Sequence, residues 1–296
     1  MFIYNIHGLS IKSQIEFPEL KEAETGDFDA VVTLGEFDPF SSEALVEGYH
    51  FRVTSEAVYL FWEGIGSFMM KDGYELVVKP DPSVDEDYLR PFIFGPALAV
   101  LLHQKGVIVL HASAVDMNGE SVAFLGDSGY GKSTLAVALQ SRGYPMVTDD
   151  TLSVNVAKPI TVNRGLPLLR LFDDVSDLFK EDSGVGKVLY RSPATKNFYQ
   201  IHRWTSKSSL KLNSIYVLEN TDEVSVSPLK DSDGLLSLIA NSFLINTFQN
   251  EEKSQNLLQC FEITKEVPLR LLKTGNSLDD LEKLADLVEK DVRKLR

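Results

Sequence analysis

Hydrophobic and polar positions are patterned differently in the first 84 residues and in the rest of the chain. Up to residue 84 the hydrophobic residues come in short runs that Gly, Pro and acidic clusters separate: FIYNI, AVVTLG, HFRVTSEAVYLFW and YELVVK. Such runs are typical of β-strands joined by turns. The segment KPDPSVDEDY then has the composition of a linker. The pattern predicts a small β-rich N-terminal domain at residues 1–84 and a second domain at residues 85–296.

From residue 107 the pattern alternates strand, helix and strand. VIVLHASAVDMNGESVAFLG predicts a hairpin with Asn118 and Gly119 at its turn, which places His111 opposite Gly126. KSTLAVALQSR predicts a helix over residues 132–142, ended by Gly143, and YPMVT predicts the next strand. This order is typical of a right-handed βαβ unit and indicates an α/β fold.

The remaining sequence predicts short strands followed by helices. SIYVLE is a strand candidate, and YLRPFIFGPALAVLLHQKG and DGLLSLIANSFLINTF have the apolar density of packed helices. In NSLDDLEKLADLVEKDVRKLR, Ser277 and Asp280 form a capping box, with acidic residues early and basic residues late. We therefore expect a mixed sheet with C-terminal helices.

Composition and charge narrow the class of protein. The 296 residues are 44% hydrophobic, enough for a sizeable core, and the net charge of -14 opposes binding to nucleic acid or anionic membranes. No apolar run approaches the roughly 20 residues of a membrane span, and the start lacks the features of a signal peptide. We expect a cytoplasmic protein with neither nucleic acid nor membrane as partner. The single cysteine, Cys260, is interpreted as a small core residue.

Residues 126–134 match the phosphate-binding P-loop, G-x-x-x-x-G-K-[ST], between a hydrophobic strand and a helix. That context favours a nucleotide site over an ordinary Gly-rich turn. Lys132 is expected to reach the β- and γ-phosphates, and Ser133 to ligate Mg²⁺. The expected ligands are ATP, or another nucleoside triphosphate, and Mg²⁺. The predicted nucleotide-binding residues are Gly126, Asp127, Ser128, Gly129, Tyr130, Gly131, Lys132, Ser133 and Thr134.

Asp149 and Asp150 follow the strand after the P-loop helix. A helix of 11 residues spans about 16 Å, as does a strand of five residues, so the chain returns level with the loop. Adjacent carboxylates beside a Mg²⁺-nucleotide can divide their work, one holding the metal and one accepting a proton from an attacking hydroxyl. The alternative is that they only begin a turn. His111 lies at the mouth of the loop, either as a structural residue or in contact with phosphate or aspartate.

Basic residues downstream stand out in this acidic chain: Arg164, Arg170, Lys187, Arg191, His202 and Arg203. One of them could neutralise charge on a transferring phosphoryl group, although solvated surface positions are the plainer interpretation. Arg170 lies within an apolar stretch and Lys187 follows Gly186, so these two are the preferred candidates. Trp62 and Trp204 are interpreted as core residues.

The segment LHASAVDMNGESVAFLGDSGYGKSTLAVALQSRGYPMVTDDTLSV resembles the catalytic core of HPr kinase/phosphorylase. It shares a histidine before a hairpin, the loop G-x-S-G-x-G-K-S and an Asp-Asp pair. The resemblance implies that Lys132 and the loop glycines bind phosphate and that Ser133 with Asp150 binds the metal. It implies Asp149 as the general base toward a serine hydroxyl and His111 as a supporting catalytic residue. Thr134 stands where that family commonly has an acidic residue.

The layout of the whole chain is similar to the HPr-kinase-like kinases of lasso-peptide precursors, a group encoded with ribosomal peptides. The similar segments outside the core are YNIHGLSIKSQIEFPEL, GLPLLRLFDD and VPLRLLKTGNSLDDLEKL. The resemblance implies an HPr-kinase-like P-loop domain that phosphorylates a serine of a precursor peptide. The alternatives are a kinase for free serine or an HPr-like protein, and a nucleotide-binding sensor without transfer activity. Whether the protein is a homo-oligomer is left open.

Overall fold

A computed structural model describes residues 1–23, 26–172, 184–190, 197–247, 250–275 and 277–296; of residues 187, 190, 246 and 250 it describes only the backbone. The chain forms two compact units. One comprises Met1–Val109 with Phe243–Gln255, and the other comprises Leu110–Ser242 with Asn256–Arg296. The predicted domain boundary at residues 84/85 stays a prediction. The compact units divide the chain at a different place, between residues 109 and 110.

The first unit contains an eight-stranded sheet. Its strands lie in the order β1-β2-β3-β8-β7-β6-β5-β4, with parallel pairs at β2–β3 and β3–β8 and antiparallel pairs elsewhere. The bounds are β1 (Phe2–Ile6), β2 (Leu9–Ser13), β3 (Ala30–Leu34), β4 (Val46–Gly48), β5 (Phe51–Val53), β6 (Val58–Trp62), β7 (Gly66–Lys71) and β8 (Glu75–Pro80). In β7, Phe68 and Met70 are buried and their neighbours are less so, as expected for a sheet with one covered face.

Helices follow this sheet within the first unit: α1 (Glu86–Phe92), a π-helical turn (Ile93–Ala97) and α2 (Leu98–Gln104). The π-helical turn contains Pro96, which lacks the N–H that an α-helix would use. Aromatic rings pack against these helices, with centroids 4.7 Å apart for Phe94 and Phe17, which follows β2, and for Phe92 and Trp62 of β6. This packing explains why the first unit extends beyond residue 84. Trp62 takes part in it but is only half-buried, so it lies at the margin of the core.

The second unit is built on a mixed sheet, as predicted. The strand β9 (Ile108–Leu110) leads from one unit to the other. The following strands are β10 (Ala112–Met117), β11 (Glu120–Leu125), β12 (Met146–Thr148), β13 (Leu152–Asn155), β14 (Thr161–Asn163), β18 (Ser209–Glu219), β19 (Val224–Pro228) and β20 (Leu269–Thr274). They lie in the order β12-β10-β11-β18; β18 then pairs with β14 at its start and with β20 at its end.

The predicted hairpin and its register are confirmed. Strands β10 and β11 pair from Ala112 with Leu125 to Met117 with Glu120, which sets His111 and Gly126 at the next pair position. Asn118 and Gly119 form the turn with φ angles of 56° and 96°. Both angles are those of the two-residue turn that Asn-Gly favours.

The helix α3 (Lys132–Ser141) connects β11 to β12. Strands β11 and β12 both pair antiparallel with β10, which lies between them, so they run parallel to each other. Strand β12 is shorter than the predicted 144–148. Since β18 is parallel to β11 and β20 is parallel to β18, the carboxyl ends of four strands meet at one edge of the sheet. This is the edge at which open α/β sheets bind ligands.

A smaller sheet and the C-terminal helices follow; they belong to the second unit except for the start of α5, up to Gln255. The small sheet has the order β15-β17-β16, with β15 (Leu168–Leu171), β16 (Val185–Tyr190) and β17 (Asn197–Ile201). The later helices of the chain are α4 (Asp231–Ala240), α5 (Asn250–Glu266) and α6 (Leu281–Leu295). Apolar residues of β15, α3 and α6 share one core, among them Leu169, Leu135 and Val288.

The start of α6 differs in detail from the predicted capping box. The Ser277 hydroxyl accepts a hydrogen bond from the backbone N–H of Asp279 at 3.1 Å, and a 3₁₀ turn (Leu278–Asp280) precedes the helix. Cys260 is fully buried, in agreement with its interpretation as a core residue. None of the described helices combines the length and apolarity that crossing a membrane requires.

Candidate active site

The P-loop lies between the end of β11 and the start of α3, at the carboxyl edge of the sheet. Gly126 has φ 146°, and a Cβ atom built there would lie 3.2 Å from the carbonyl oxygen of Leu218. Gly131, the N-cap of α3, has φ 87°. Both positions favour glycine, and the helix N-terminus carries a partial positive charge. The loop is therefore shaped to bind an anion such as phosphate.

Lys132 places a positive charge inside this loop. Its side chain is buried, and Nζ donates hydrogen bonds to the carbonyl oxygens of Gly126 at 2.6 Å and Asp127 at 3.0 Å. The ammonium group is thus held by carbonyl oxygens of the loop.

Asp149 is buried and accepts hydrogen bonds at both carboxylate oxygens. Oδ1 accepts from the hydroxyl groups of Ser113 at 2.5 Å and Ser133 at 2.8 Å, and Oδ2 accepts from the backbone N–H of Arg170 at 3.0 Å. Burial raises the pKa of Asp149, the charge of Asp150 adds to this, and the three hydrogen bonds oppose it. Asp149 therefore serves as an anchor between the P-loop helix, strand β10 and strand β15.

Asp150 points elsewhere. Its φ of 67° is left-handed, a conformation that aspartate tolerates better than most residues, and its side chain is 23% exposed. Oδ2 accepts a hydrogen bond from Arg170 Nη1 at 2.8 Å, and Oδ1 lies 3.3 Å from His111 Nδ1. The backbone N–H of His111 donates to the carbonyl of Asn241 at 2.8 Å. Burial lowers the pKa of His111, and the charge of Asp150 partly offsets this.

The contacts of the two aspartates differ from those that the resemblance to HPr kinase/phosphorylase implies. Ser133 contacts Asp149, whereas the resemblance implies Ser133 with Asp150 on the metal. Asp150 instead belongs with His111 and Arg170. Ser113 was missed by the sequence reasoning, although the period of two along β10 places its side chain on the same face as His111.

The basic candidates downstream of the aspartates lie in different surroundings. Arg170 contacts both aspartates, through its backbone and through its guanidinium group. Arg164 lies over the ring of Trp204, and Arg203 donates to the carbonyl of Gln140. The ring of His202 lies against the backbone at Gly186. The side chain of Lys187 and residue Arg191 lie outside the described residues.

A cavity of about 320 Å³ opens over these groups. One end is lined by His111, Ser113, Asp150 and Arg170, and the middle by the P-loop from Gly129 to Thr134; the described lining does not include Asp149. Across the part of the chain that the structure describes, no three His, Cys, Asp or Glu side chains are grouped so that they could hold a metal ion.

Comparison with known proteins finds homologues in the HPr kinase/phosphorylase family. The proteins of that name are 33% identical over 98 residues in Lachnoclostridium phytofermentans, 44% over 71 residues in Chromobacterium violaceum and 40% over 72 residues in Nitrosomonas europaea. These segments cover 32%, 24% and 24% of this chain, and only 30%, 22% and 22% of the relatives. No protein-family model matches the chain.

Among solved structures, the Hpr(Ser) kinase/phosphatase from Coxiella burnetii aligns over 63% of this chain and 97% of its own, with 14% sequence identity and a TM-score of 0.33. The likeness to HPr kinase/phosphorylase thus rests on the sequence matches, which cover less than a third of each relative's length.

Proposed function

We propose that this protein is a Mg²⁺-dependent kinase that transfers the γ-phosphoryl group of ATP to a serine hydroxyl. The observation that carries the proposal is the pair of adjacent aspartates at the P-loop: Asp149 is bonded to Ser133, and Asp150 faces the cavity. Homologues named HPr kinase/phosphorylase support this class of reaction.

The residues at the loop fit a magnesium ion. The hydroxyl of Ser133 and the carboxylate of Asp149 are hard oxygen donors that already lie 2.8 Å apart. Mg²⁺ is commonly held by one or two protein oxygens together with substrate phosphates, which agrees with the missing three-ligand cluster among the described residues. When bound, the ion neutralises negative charge on the β- and γ-phosphates.

We assign the general base to Asp150, which reverses the roles that the resemblance implies for the two aspartates. Asp149 is buried and both of its oxygens already accept hydrogen bonds. Asp150 lines the cavity and can reach an entering hydroxyl. In the reaction Asp150 takes the proton of the serine hydroxyl, the serine oxygen bonds to the γ-phosphorus, and the bond from that phosphorus to the β-γ bridging oxygen breaks, releasing ADP.

Arg170 and His111 are assigned supporting roles. The Arg170 guanidinium contacts Asp150, and its Nε–H has no hydrogen-bond acceptor among the described residues. A γ-phosphate carries more charge than the carboxylate, so it competes for the guanidinium and frees Asp150 for proton transfer. His111 orients the carboxylate from the other side.

For the acceptor we propose the serine of a ribosomally made precursor peptide, as in lasso-peptide precursor kinases. The similar layout of residues 4–20, 165–174 and 267–284 supports this choice. An HPr-like protein and free serine are the alternative acceptors. A nucleotide sensor without transfer activity would need the pair of Ser133 and Asp149, but it would have no use for Asp150 in the cavity. Because the reaction consumes ATP, we place it in the cytoplasm.

The test offers γ-labelled ATP and Mg²⁺ with four acceptors: a serine-ended precursor peptide, the same peptide ending in alanine, HPr and free serine. We expect label on the serine-ended peptide alone, and none after chelation of Mg²⁺. Label on HPr or free serine instead would overturn the peptide assignment. ATP binding without label on any acceptor would overturn the kinase assignment and favour the sensor.

A further inference from the structure

The cavity has a second end that the phosphate chemistry leaves unassigned. Its described lining includes Asn220, Thr274, Leu278 and Leu281. Asn220 directly follows β18 and Thr274 ends β20, so both lie at the edge of the sheet where the P-loop lies. The sheet order is β12-β10-β11-β18-β20 along this edge. The aspartates after β12 and these residues after β18 and β20 therefore lie on opposite sides of the P-loop.

This order determines the direction in which a nucleotide would lie. P-loop amides cradle the α- and β-phosphates, and the loop lysine reaches the β- and γ-phosphates. With Asp150 and Arg170 at the γ-phosphate end, the nucleoside has to leave the loop toward β18 and β20. The second end of the cavity is the space that it would enter.

The chemistry of this second end suits a flat aromatic base with polar edges. Leu278 is 48% exposed although it lines the cavity, and Leu281 is half-buried beside it. Such side chains can cover the face of a base. Asn220 provides an amide whose oxygen accepts a hydrogen bond from the Thr274 hydroxyl at 2.7 Å, which fixes its position. An asparagine amide can pair with both N6 and N7 of adenine.

We propose that this second end, which we name the base slot and define by Asn220, Thr274, Leu278 and Leu281, binds the adenine of the nucleotide. Leu278 and Leu281 contact the face of the base, and Asn220 hydrogen-bonds its edge. The base slot rests on the proposed function, in which the P-loop holds a triphosphate with its γ-phosphate toward Asp150 and Arg170.

The test compares three ligands by isothermal titration calorimetry with Mg²⁺: ATP, GTP and inorganic tripolyphosphate, which has no base. The proteins are the full chain, Leu278→Ser, Asn220→Ala and the control Leu236→Ser. Leu236 is 65% exposed on α4 and does not line the cavity. The side chains of Leu278 and Asn220 are exposed, so the variants should fold, and their binding of tripolyphosphate verifies this.

We expect Leu278→Ser to weaken ATP binding about tenfold and to change tripolyphosphate binding less than twofold, a difference that requires a contact to the nucleoside. Asn220→Ala should reduce the preference for ATP over GTP, and Leu236→Ser should match the full chain. Unchanged ATP affinity in both base-slot variants, or an equal loss for tripolyphosphate, would overturn the base slot while the kinase proposal stands. If the unaltered protein bound neither ATP nor tripolyphosphate, the proposed function itself would be overturned.

Discussion

Ser133 and Asp149 are joined by a hydrogen bond of 2.8 Å that connects the first turn of the P-loop helix α3 to the end of strand β12. The same carboxylate oxygen accepts a bond from Ser113 on strand β10, which lies between β11 and β12 in the sheet. The Asp149 carboxylate is thereby held against the P-loop helix and β10 by hydrogen bonds, whereas Asp150, the next residue, lines the cavity. The predictions on catalysis follow from this division between adjacent residues.

The first prediction concerns proton transfer. Asp150→Asn keeps the size of the side chain but removes the base, so we expect kcat to fall about 10²- to 10⁴-fold. The dissociation constant of Mg²⁺-ATP should change by less than about threefold, since Asp150 does not hold the metal in our assignment. Single-turnover phosphoryl transfer and calorimetric binding measure the two effects separately. Full transfer activity in Asp150→Asn would return the role of base to Asp149.

A second prediction concerns the metal. Ser133→Ala and Asp149→Asn each remove one of the two oxygen donors proposed for Mg²⁺, and we expect Mg²⁺-dependent ATP affinity to fall about 10- to 100-fold. Titration of a fluorescent ATP analogue with and without Mg²⁺ provides the measurement. Affinity without Mg²⁺ is the internal control and should remain. An equal loss under both conditions would show that these residues shape the loop and do not hold the ion.

Arg170 is the subject of the third prediction. Because its guanidinium group is proposed to move from Asp150 to the γ-phosphate, Arg170→Gln should lower kcat by about 10³-fold or more. Arg164→Gln is the matched control, since that guanidinium lies over Trp204. Its kcat should match the unaltered protein in steady-state assays. Comparable losses in both variants would point to a general effect of charge and would remove Arg170 from the site.

The fourth prediction concerns stability. Asp291 on α6 accepts hydrogen bonds from Arg270 at 2.8 and 2.6 Å and from the Tyr216 hydroxyl at 2.9 Å, and it is buried. Asp291→Ala leaves a nearly buried arginine unpaired, so the free energy of unfolding should fall by about 3–5 kcal/mol. Asp286→Ala on the same helix breaks an exposed ion pair with Arg142 and should cost less than about 1 kcal/mol. Urea unfolding compares them, and equal losses would contradict the prediction.

The fifth prediction concerns pH. Burial lowers the pKa of His7 from 6.5 to about 4. The unfolded chain therefore binds a proton at His7 more readily than the folded protein does. The free energy of unfolding is unaffected by His7 above pH 6.5, and it decreases as pH falls from 6.5 toward 4. At about pH 5 the loss amounts to about 2 kcal/mol.

The variant His7→Asn removes this titration. Asparagine suits the left-handed φ of 51° at this position. Urea unfolding at about pH 7.5 and about pH 5 should show a pH-dependent loss smaller by about 2 kcal/mol in His7→Asn than in the unaltered protein. An identical loss in both proteins would mean that His7 is not the group responsible.

The hairpin and the loop–helix–strand unit were predictable from sequence because their rules are local. Asn118 and Gly119 dictate a two-residue turn, and that turn alone sets the register that brings His111 opposite Gly126. The glycines of the P-loop permit positive φ angles, and the matched lengths of helix and strand return Asp149 to the level of Ser133. Each of these inferences depends on residues fewer than about 20 positions apart, where backbone geometry leaves few choices.

Contacts between segments that are distant in sequence were decided only by the tertiary structure. Which aspartate faces the cavity depends on the left-handed turn at Asp150 and on Arg170, which arrives from a separate small sheet. Asn220 and Thr274 meet because β18 and β20 are neighbours, although they are distant in sequence. The helices at residues 86–104 belong to the first unit, where Phe92 of α1 packs on Trp62 of β6. In each case the deciding free energy is that of contacts between distant segments, and sequence spacing carries no record of which segments will become neighbours.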